Sequence, residues 1–205
     1  MSWSAAILAG GQGRRLGGRS KGILDVGGLC IIERQLATLA TLTDAIVIVG
    51  GPSPHPHAPG VRVVPDERPG AGALGGLYTA LSAAPTERVL ILAADMPFIT
   101  APFLRFLVGV DERALAVVPE TDGRWHPLCA VYARRAADVV GGALDRGERR
   151  VIEAVAALPP RLIPSAAVRP FDPDGRLLIN VNTPDDYARA TRLAAPNAAN
   201  RTAGS

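Results

Sequence analysis

Lysine is nearly missing from this chain. Of 22 basic residues only Lys21 is a lysine, and all others are arginine. One compact ammonium in an arginine-only background draws attention to its place, because lysine offers a point charge where arginine offers a planar fork. Cysteine is almost as scarce. Cys30 and Cys129 stand 99 positions apart, which excludes a closely spaced metal pair and a disulfide framework and suits a reducing compartment. Long apolar runs are also lacking. The longest extend about five to six residues, too short for a membrane-spanning helix. Met1-Ser2-Trp3-Ser4 carries no charge and the apolar stretch after it breaks at Gly10-Gly11, unlike a secretory signal. No internal repeat and no strong domain boundary is visible.

What is present is ordinary globular material. The 205 residues are 48% apolar and 20% charged. A chain of this length is expected to form one domain or a tight pair and to bury roughly 70% of its unfolded surface without staples. The formal net charge is +3, and its location is informative. Gly10 to Gly22 holds Arg14, Arg15, Arg19 and Lys21 with no acid; the remainder has 18 basic against 19 acidic residues. A nucleic-acid binder would spread basic residues along a helix or face. A surplus confined to one glycine-rich segment suits a small anionic ligand instead.

Continuous apolar stretches alternate with helical patterns. Residues 5–9 and 45–49 read as buried strands, 61–64 as a short third and 89–93 as a fourth, and 31–42 and 74–84 as helices. Continuous rather than alternating apolar strands, separated by helices, predict a parallel sheet covered on both faces. The order is that of a doubly wound, mostly parallel α/β domain. The second half is less regular. Strands are expected at 115–118 and 128–132 around Thr121-Asp122-Gly123, helices at 134–146 and 150–158, and a last strand at 177–181. A final helix begins at Thr183-Pro184-Asp185-Asp186, with Thr183 as N-cap, Pro184 in the first turn and acids at the positive end of the helix dipole. Pro52 to Gly60 is a Pro/His-rich loop, and residues from about Ala194 read as a frayed tail.

Four segments carry candidate chemistry. Leu8-Ala9-Gly10-Gly11-Gln12-Gly13-Arg14-Arg15-Leu16-Gly17-Gly18-Arg19-Ser20-Lys21 follows the first strand. Ligands of open α/β sheets bind beyond the carboxyl ends of strands, and glycines there let backbone N–H groups approach phosphate oxygens. The dinucleotide fingerprint fails at Leu16, and the P-loop pattern fails because Lys21 follows Ser20. Asp95 closes the run Val89 to Ala93, a position suited to Mg²⁺ held against substrate phosphates or to a helix N-cap. Asp66, ahead of Gly70-Ala71-Gly72-Ala73-Leu74-Gly75-Gly76, suits metal, sugar or substrate contact, or a plain solvated turn. Asn180 and Asn182 alternate along the expected last strand and so share a face, as ligand groups or as strand-end caps.

Leu8 to Lys21, Ala94-Asp95-Met96-Pro97-Phe98-Ile99, His126-Pro127, Gly147-Glu148-Arg149-Arg150-Val151 and Asn180-Val181-Asn182-Thr183-Pro184 together resemble the molybdenum cofactor guanylyltransferases, in order and spacing, over roughly residues 4 to 192. The resemblance implies a Rossmann-like nucleotidyltransferase fold over 1–193, with 194–205 as a flexible C-terminal tail. It implies transfer of GMP from Mg·GTP to molybdenum-bound molybdopterin with release of pyrophosphate. On this resemblance Leu8, Ala9, Gly10, Gly11, Gly13, Lys21, Asp66 and Asp95 bind the nucleotide. Arg15, Lys21 and Asp95 carry catalysis, Asp95 holds Mg²⁺, and Asn180 and Asn182 lie near the acceptor. It further implies a cytoplasmic monomer that meets GTP and molybdopterin, and a molybdopterin-supplying protein or an apo-molybdoenzyme as partner, but neither nucleic acid nor membrane. Two positions depart from the family pattern: Ser20 stands where an Asp is common, and Gly50-Gly51 where an Asn often follows the second strand. The alternatives are CTP or another phosphorylated acceptor with the same chemistry, or a non-catalytic protein that delivers nucleotide or cofactor.

Overall fold

The computed structural model describes residues 2–10, 21–50 and 61–195, with Lys21 described by its backbone. Four apolar strands form its first half: β1 (Ser4–Leu8), β2 (Ile46–Val49), β3 (Val61–Val64) and β4 (Arg88–Ala93). They lie side by side in the order β3-β2-β1-β4, all parallel. Register is tight at the centre: Ile7 faces Ile48 on one side and Leu92 on the other. The second half of the sheet turns over. β7 (Cys129–Ala133) runs antiparallel to β4, pairing Leu92 with Cys129 and Arg88 with Ala133. β5 (Ala116–Thr121) is antiparallel to β7, and β8 (Arg161–Ile163) is parallel to β5. The sheet is therefore mostly parallel with a reversed strand inside it.

The hairpin from β5 to β6 (Arg124–Trp125) turns at Asp122 and Gly123, both with positive φ (51° and 72°). That is the backbone a two-residue type I′ turn requires, and Asp-Gly supplies it.

Both faces of the sheet are covered because the strand side chains alternate between two cores. Ala5, Ile7, Ile48, Leu90 and Leu92 point to one side, where α1 (Ile31–Ala40) and α3 (Ala101–Gly109) pack through Ile32, Leu36, Leu39, Phe103 and Leu107. Ala6, Val47, Val49, Val89 and Ile91 point to the other. There α2 (Gly72–Ala83), α4 (Ala136–Asp145) and α5 (Val151–Ala156) supply Leu74, Leu77, Leu81, Val140 and Val155. Each buried Leu, Ile or Phe contributes about 1.5–3 kcal/mol. Short α6 (Ser165–Val168) follows β8, and α7 (Pro184–Ala194) closes the described chain.

One expected element is corrected. Residues 177–181 are not a strand. The backbone donors around them are taken by side chains rather than by a neighbouring strand. Asp172 Oδ1 accepts from the N–H groups of Arg176 and Leu177, and Asp186 Oδ2 accepts from those of Asn182 and Thr183. Among the described residues one backbone bond, Val181 N–H to the Asp95 carbonyl at 2.8 Å, ties this segment to the turn that follows β4. Helix α7 then starts where the sequence predicts: Thr183 Oγ1 accepts from Asp186 N–H at 3.1 Å in a capping box. Of the expected tail, residues 196–205 lie outside the described residues.

Candidate active site

A cavity of about 560 Å³ opens at the carboxyl ends of the parallel strands. The topology builds it. β1 ends in Leu8-Ala9-Gly10, β2 in Val49 and β4 in Ala93-Ala94-Asp95, and all of these line the cavity. The connection after β3 adds Asp66 and Gly70, the first turns of α2 add Gly72, Ala73 and Gly76, and Asn180 and Asn182 close one wall. Gly22, directly after Lys21, reaches the same cavity.

Seven sequence-predicted residues therefore meet: Leu8, Ala9, Gly10, Asp66, Asp95, Asn180 and Asn182. Gly11, Gly13, Arg15 and the Lys21 side chain lie outside what is described. Asn180 and Asn182 reach the cavity from an irregular segment rather than by strand alternation. The lining residues Val49 and Leu128 are not candidates from sequence. Leu128 carries no polar signal and is placed only because β7 reverses beside β4.

Each acid is held by its surroundings. Asp95 is 9% exposed, deeper than a carboxylate usually lies. Its turn is pinned by Ala94 N–H to the Leu8 carbonyl (3.1 Å) and by Val181 N–H to its own carbonyl. Asp66 Oδ1 accepts from Arg68 N–H (2.9 Å) and from the hydroxyl of buried Thr79 (3.1 Å). Thr79 Oγ1 in turn accepts from Glu67 N–H (3.0 Å). The loop lies flat on α2 because position 75 is glycine: a Cβ there would stand 2.7 Å from the Arg68 carbonyl oxygen. Arg68 continues outward to Asp145 (3.3 Å) and stacks over Tyr78. Beside the lining residue Asn182, Asp186 Oδ2 accepts from Asn182 N–H at 3.0 Å. The N–H of Asn182, with Thr183, keeps the Asp186 carboxyl below the usual carboxylate range.

Other motif residues serve the scaffold. His126 Nε2 lies 2.6 Å from Thr121 Oγ1, and His126 N–H donates to the Pro119 carbonyl. Burial first, and Arg124 second, hold its imidazole below the ordinary histidine range. Glu148 Oε1 accepts from the N–H groups of Arg149 and Arg150 at the start of α5, which lowers its pKa.

The donor set can be tested against a metal. Among the described residues no group of three or more His, Cys, Asp or Glu could hold an ion unaided. Mg²⁺ does not need one, because it binds through one or two carboxylates, waters and substrate phosphates. Two carboxylates and two amides around one cavity are the hard oxygen donors it takes, so the residues fit. No described helix is long and apolar enough to cross a membrane.

Comparison with known proteins bears on this cavity. Residues 5–159 match the family MobA-like NTP transferase domain. The chain is 37% identical over 193 residues to a Chloroflexus aggregans protein named "Probable molybdenum cofactor guanylyltransferase", covering 91% of this chain and 92% of that one. It is 33% identical to the molybdenum cofactor guanylyltransferase of Desulfosudis oleivorans, covering 90% and 92%. Among solved structures, molybdopterin-guanine dinucleotide biosynthesis protein A from Archaeoglobus fulgidus superposes with a TM-score of 0.79 at 28% identity, over 93% of this chain and 97% of that one. The 2-C-methyl-D-erythritol 4-phosphate cytidylyltransferase of Thermus thermophilus shares the fold at a TM-score of 0.70 and 20% identity, over 95% and 99%.

Proposed function

The chain belongs to the MobA-like NTP transferase family and is a nucleotidyltransferase, and from that premise we propose that it transfers GMP from Mg·GTP to molybdenum-bound molybdopterin. The observation that carries this reading is the meeting of Asp95, Asp66, Asn180 and Asn182 in one cavity at the strand ends, directly beyond the start of the glycine-rich basic loop.

The reaction is an in-line displacement. An oxygen of the acceptor's terminal phosphate bonds to the α-phosphorus of GTP. The bond from that phosphorus to the bridging oxygen breaks, and pyrophosphate leaves with the electron pair. A phosphate nucleophile is already ionised near neutral pH, so no side chain has to remove a proton. The protein contributes position and charge. Leu8, Ala9 and Gly10 present backbone to the base and ribose, with Gly11 and Gly13 continuing the loop. Lys21 and Arg15 set cations against the triphosphate. Asp95 would hold Mg²⁺, with Asp66 on the nucleotide side. When bound, the ion supplies charge neutralisation at the phosphate oxygens. Asn180 and Asn182 orient the acceptor from within the same cavity. The unbridged cysteines Cys30 and Cys129 fit a cytoplasmic enzyme, and the reading takes it as a monomer.

Pyrophosphate release tests the reading. GTP, CTP and ATP are offered in turn with Mg²⁺ and molybdenum-loaded molybdopterin. Release with GTP alone is expected, and Asp95→Ala abolishes it while circular dichroism stays unchanged. Release with CTP would keep the mechanism and move the base. That second reading draws on Gly50, which offers no side chain where the family often has Asn. Tight GTP binding without any release would instead favour a delivery protein, and normal turnover in the Asp95 variant would remove the metal assignment.

A further inference from the structure

Helix α1 turns an apolar face to the sheet through Ile32, Leu36 and Leu39. One residue on that buried side breaks the pattern. Gln35 is 2% exposed, and its Nε2 donates to two backbone carbonyls 58 and 61 positions away: Ala93 at 2.8 Å and Met96 at 3.1 Å. Those carbonyls bracket Asp95. The Gln35 Oε1 atom is buried and has no hydrogen-bond partner among the described residues. Leaving a polar atom so costs roughly 1–3 kcal/mol; an apolar side chain would avoid that at Oε1 but would leave both carbonyls without this donor. Departures from polar satisfaction cluster at functional sites.

The geometry gives the residue its task. Past Ala93 the chain leaves the sheet in a tight turn. Ala94 N–H and the Asp95 carbonyl are tied to Leu8 and Val181. The two carbonyls on either side of Asp95 are both held by one amide from α1. We propose that Gln35 is the positioning residue for Asp95: it clamps the turn so that the carboxylate is already aimed at the metal–triphosphate before substrate arrives. This rests on the reading of Asp95 given above. Groups that orient a metal ligand from behind typically change metal affinity or turnover about 10–100-fold when lost.

The test is Gln35→Met, which keeps length and volume and removes both donated bonds. Manganese binding is followed by electron paramagnetic resonance with GTP present, and GTP binding is measured separately in EDTA. Manganese affinity should fall about 10–100-fold, and kcat with it, while metal-free GTP binding stays within about twofold. Leu39→Ala, in the same helix and the same core, should lower the melting temperature without moving the manganese constant. If Gln35→Met does not fold, Gln35→Glu carries the test. As a neutral acid it retains one of the two donated bonds, so an intermediate loss of manganese affinity is expected. A Gln35 variant that melts earlier but binds manganese as the wild type does would overturn the inference, as would an equal loss in Leu39→Ala. A wild type without metal-dependent GTP binding would overturn the nucleotide reading itself, which is a different result.

Discussion

Gly50 gives the sharpest test of how the cavity is shaped. It follows β2 with φ +68°, and a Cβ on it would lie 2.7 Å from Gly10 Cα and 3.1 Å from Gly10 N. Gly50→Ala therefore meets two costs. A left-handed backbone costs an L side chain roughly 1–2 kcal/mol. Overpacking against a backbone that cannot rotate away costs roughly 1–3 kcal/mol more. In a domain of this size each kcal/mol lowers the melting temperature by about 2–4 °C. A fall of at least about 4 °C follows. The second cost has a functional side. Relaxing the approach to an ordinary 3.4 Å moves Gly10 by about 0.7 Å, and Gly10 lines the cavity. Misplacements near 1 Å cost up to about 100-fold in rate, so GTP affinity or turnover should drop roughly tenfold. Gly175→Ala is the control, since Gly175 has φ +63° and nothing within 4 Å of its Cβ position. It meets the backbone cost alone. Thermal denaturation and GTP titration of both variants decide. A Gly50 variant that melts no lower than the Gly175 variant and binds GTP within twofold of wild type would refute the reasoning.

The supports of the site and of the scaffold around it give three more tests. Thr79→Val leaves Glu67 N–H and Asp66 Oδ1 without their buried hydroxyl, so stability falls by about 1–3 kcal/mol and GTP dissociates more readily; unchanged binding by calorimetry would leave Thr79 a core residue only. Because folding holds the His126 imidazole below its unfolded value near 6.5, the unfolded chain takes up the proton first. Stability tied to this residue is therefore full above about pH 7 and declines below about pH 6.5, and His126→Gln should flatten the wild-type slope between pH 7 and 5; parallel slopes in urea titrations would contradict this. Asp186 has the opposite sign. Its folded pKa lies below the ordinary carboxylate value, so its contribution is present above about pH 4 and lost as pH falls further, and Asp186→Asn should cost stability at pH 7 but not in strong acid, as read by thermal melts at both.

The first half of the fold is legible in the sequence because β1, β2 and β4 are buried on both faces and so read as apolar runs, whereas the edge strand β3, with Arg62 and Val63 exposed, is read from its valines alone. The capping pattern at Thr183 and the Asp122-Gly123 turn are legible for local reasons of the same kind. Helix α3 escapes because Phe98 to Val110 is apolar almost throughout, which hides the helical period, and Pro102 in its first turn reads as a breaker out of context. β8 escapes because three residues after Pro159-Pro160 show no alternation. Asp66 and Asp95 can be picked out, since acids at the ends of apolar strands have few other reasons to be there. Asn180 and Asn182 reach the cavity although the premise that selects them, strand alternation, is wrong. Their actual placement depends on carboxylates at 172 and 186 that capture the backbone. Gln35 and Thr79 have no local signal. Their meaning lies in partners far along the chain, and nothing within a helical window reports it.

The bond from Val181 to Asp95 has a consequence for how the protein is made. A ribosome delivers β1 to β4 early, and that parallel half already contains both carboxylates. The wall carrying Asn180 and Asn182, and the tie that steadies the Asp95 turn, emerge some 86 residues after Asp95 itself. Partly synthesised chains therefore have a sheet but an unfinished cleft. Ligand can stabilise only a state that binds it, so a group held by Asn180 and Asn182 offers no help to the nascent chain and acts as a stabiliser only once synthesis has passed Asn182.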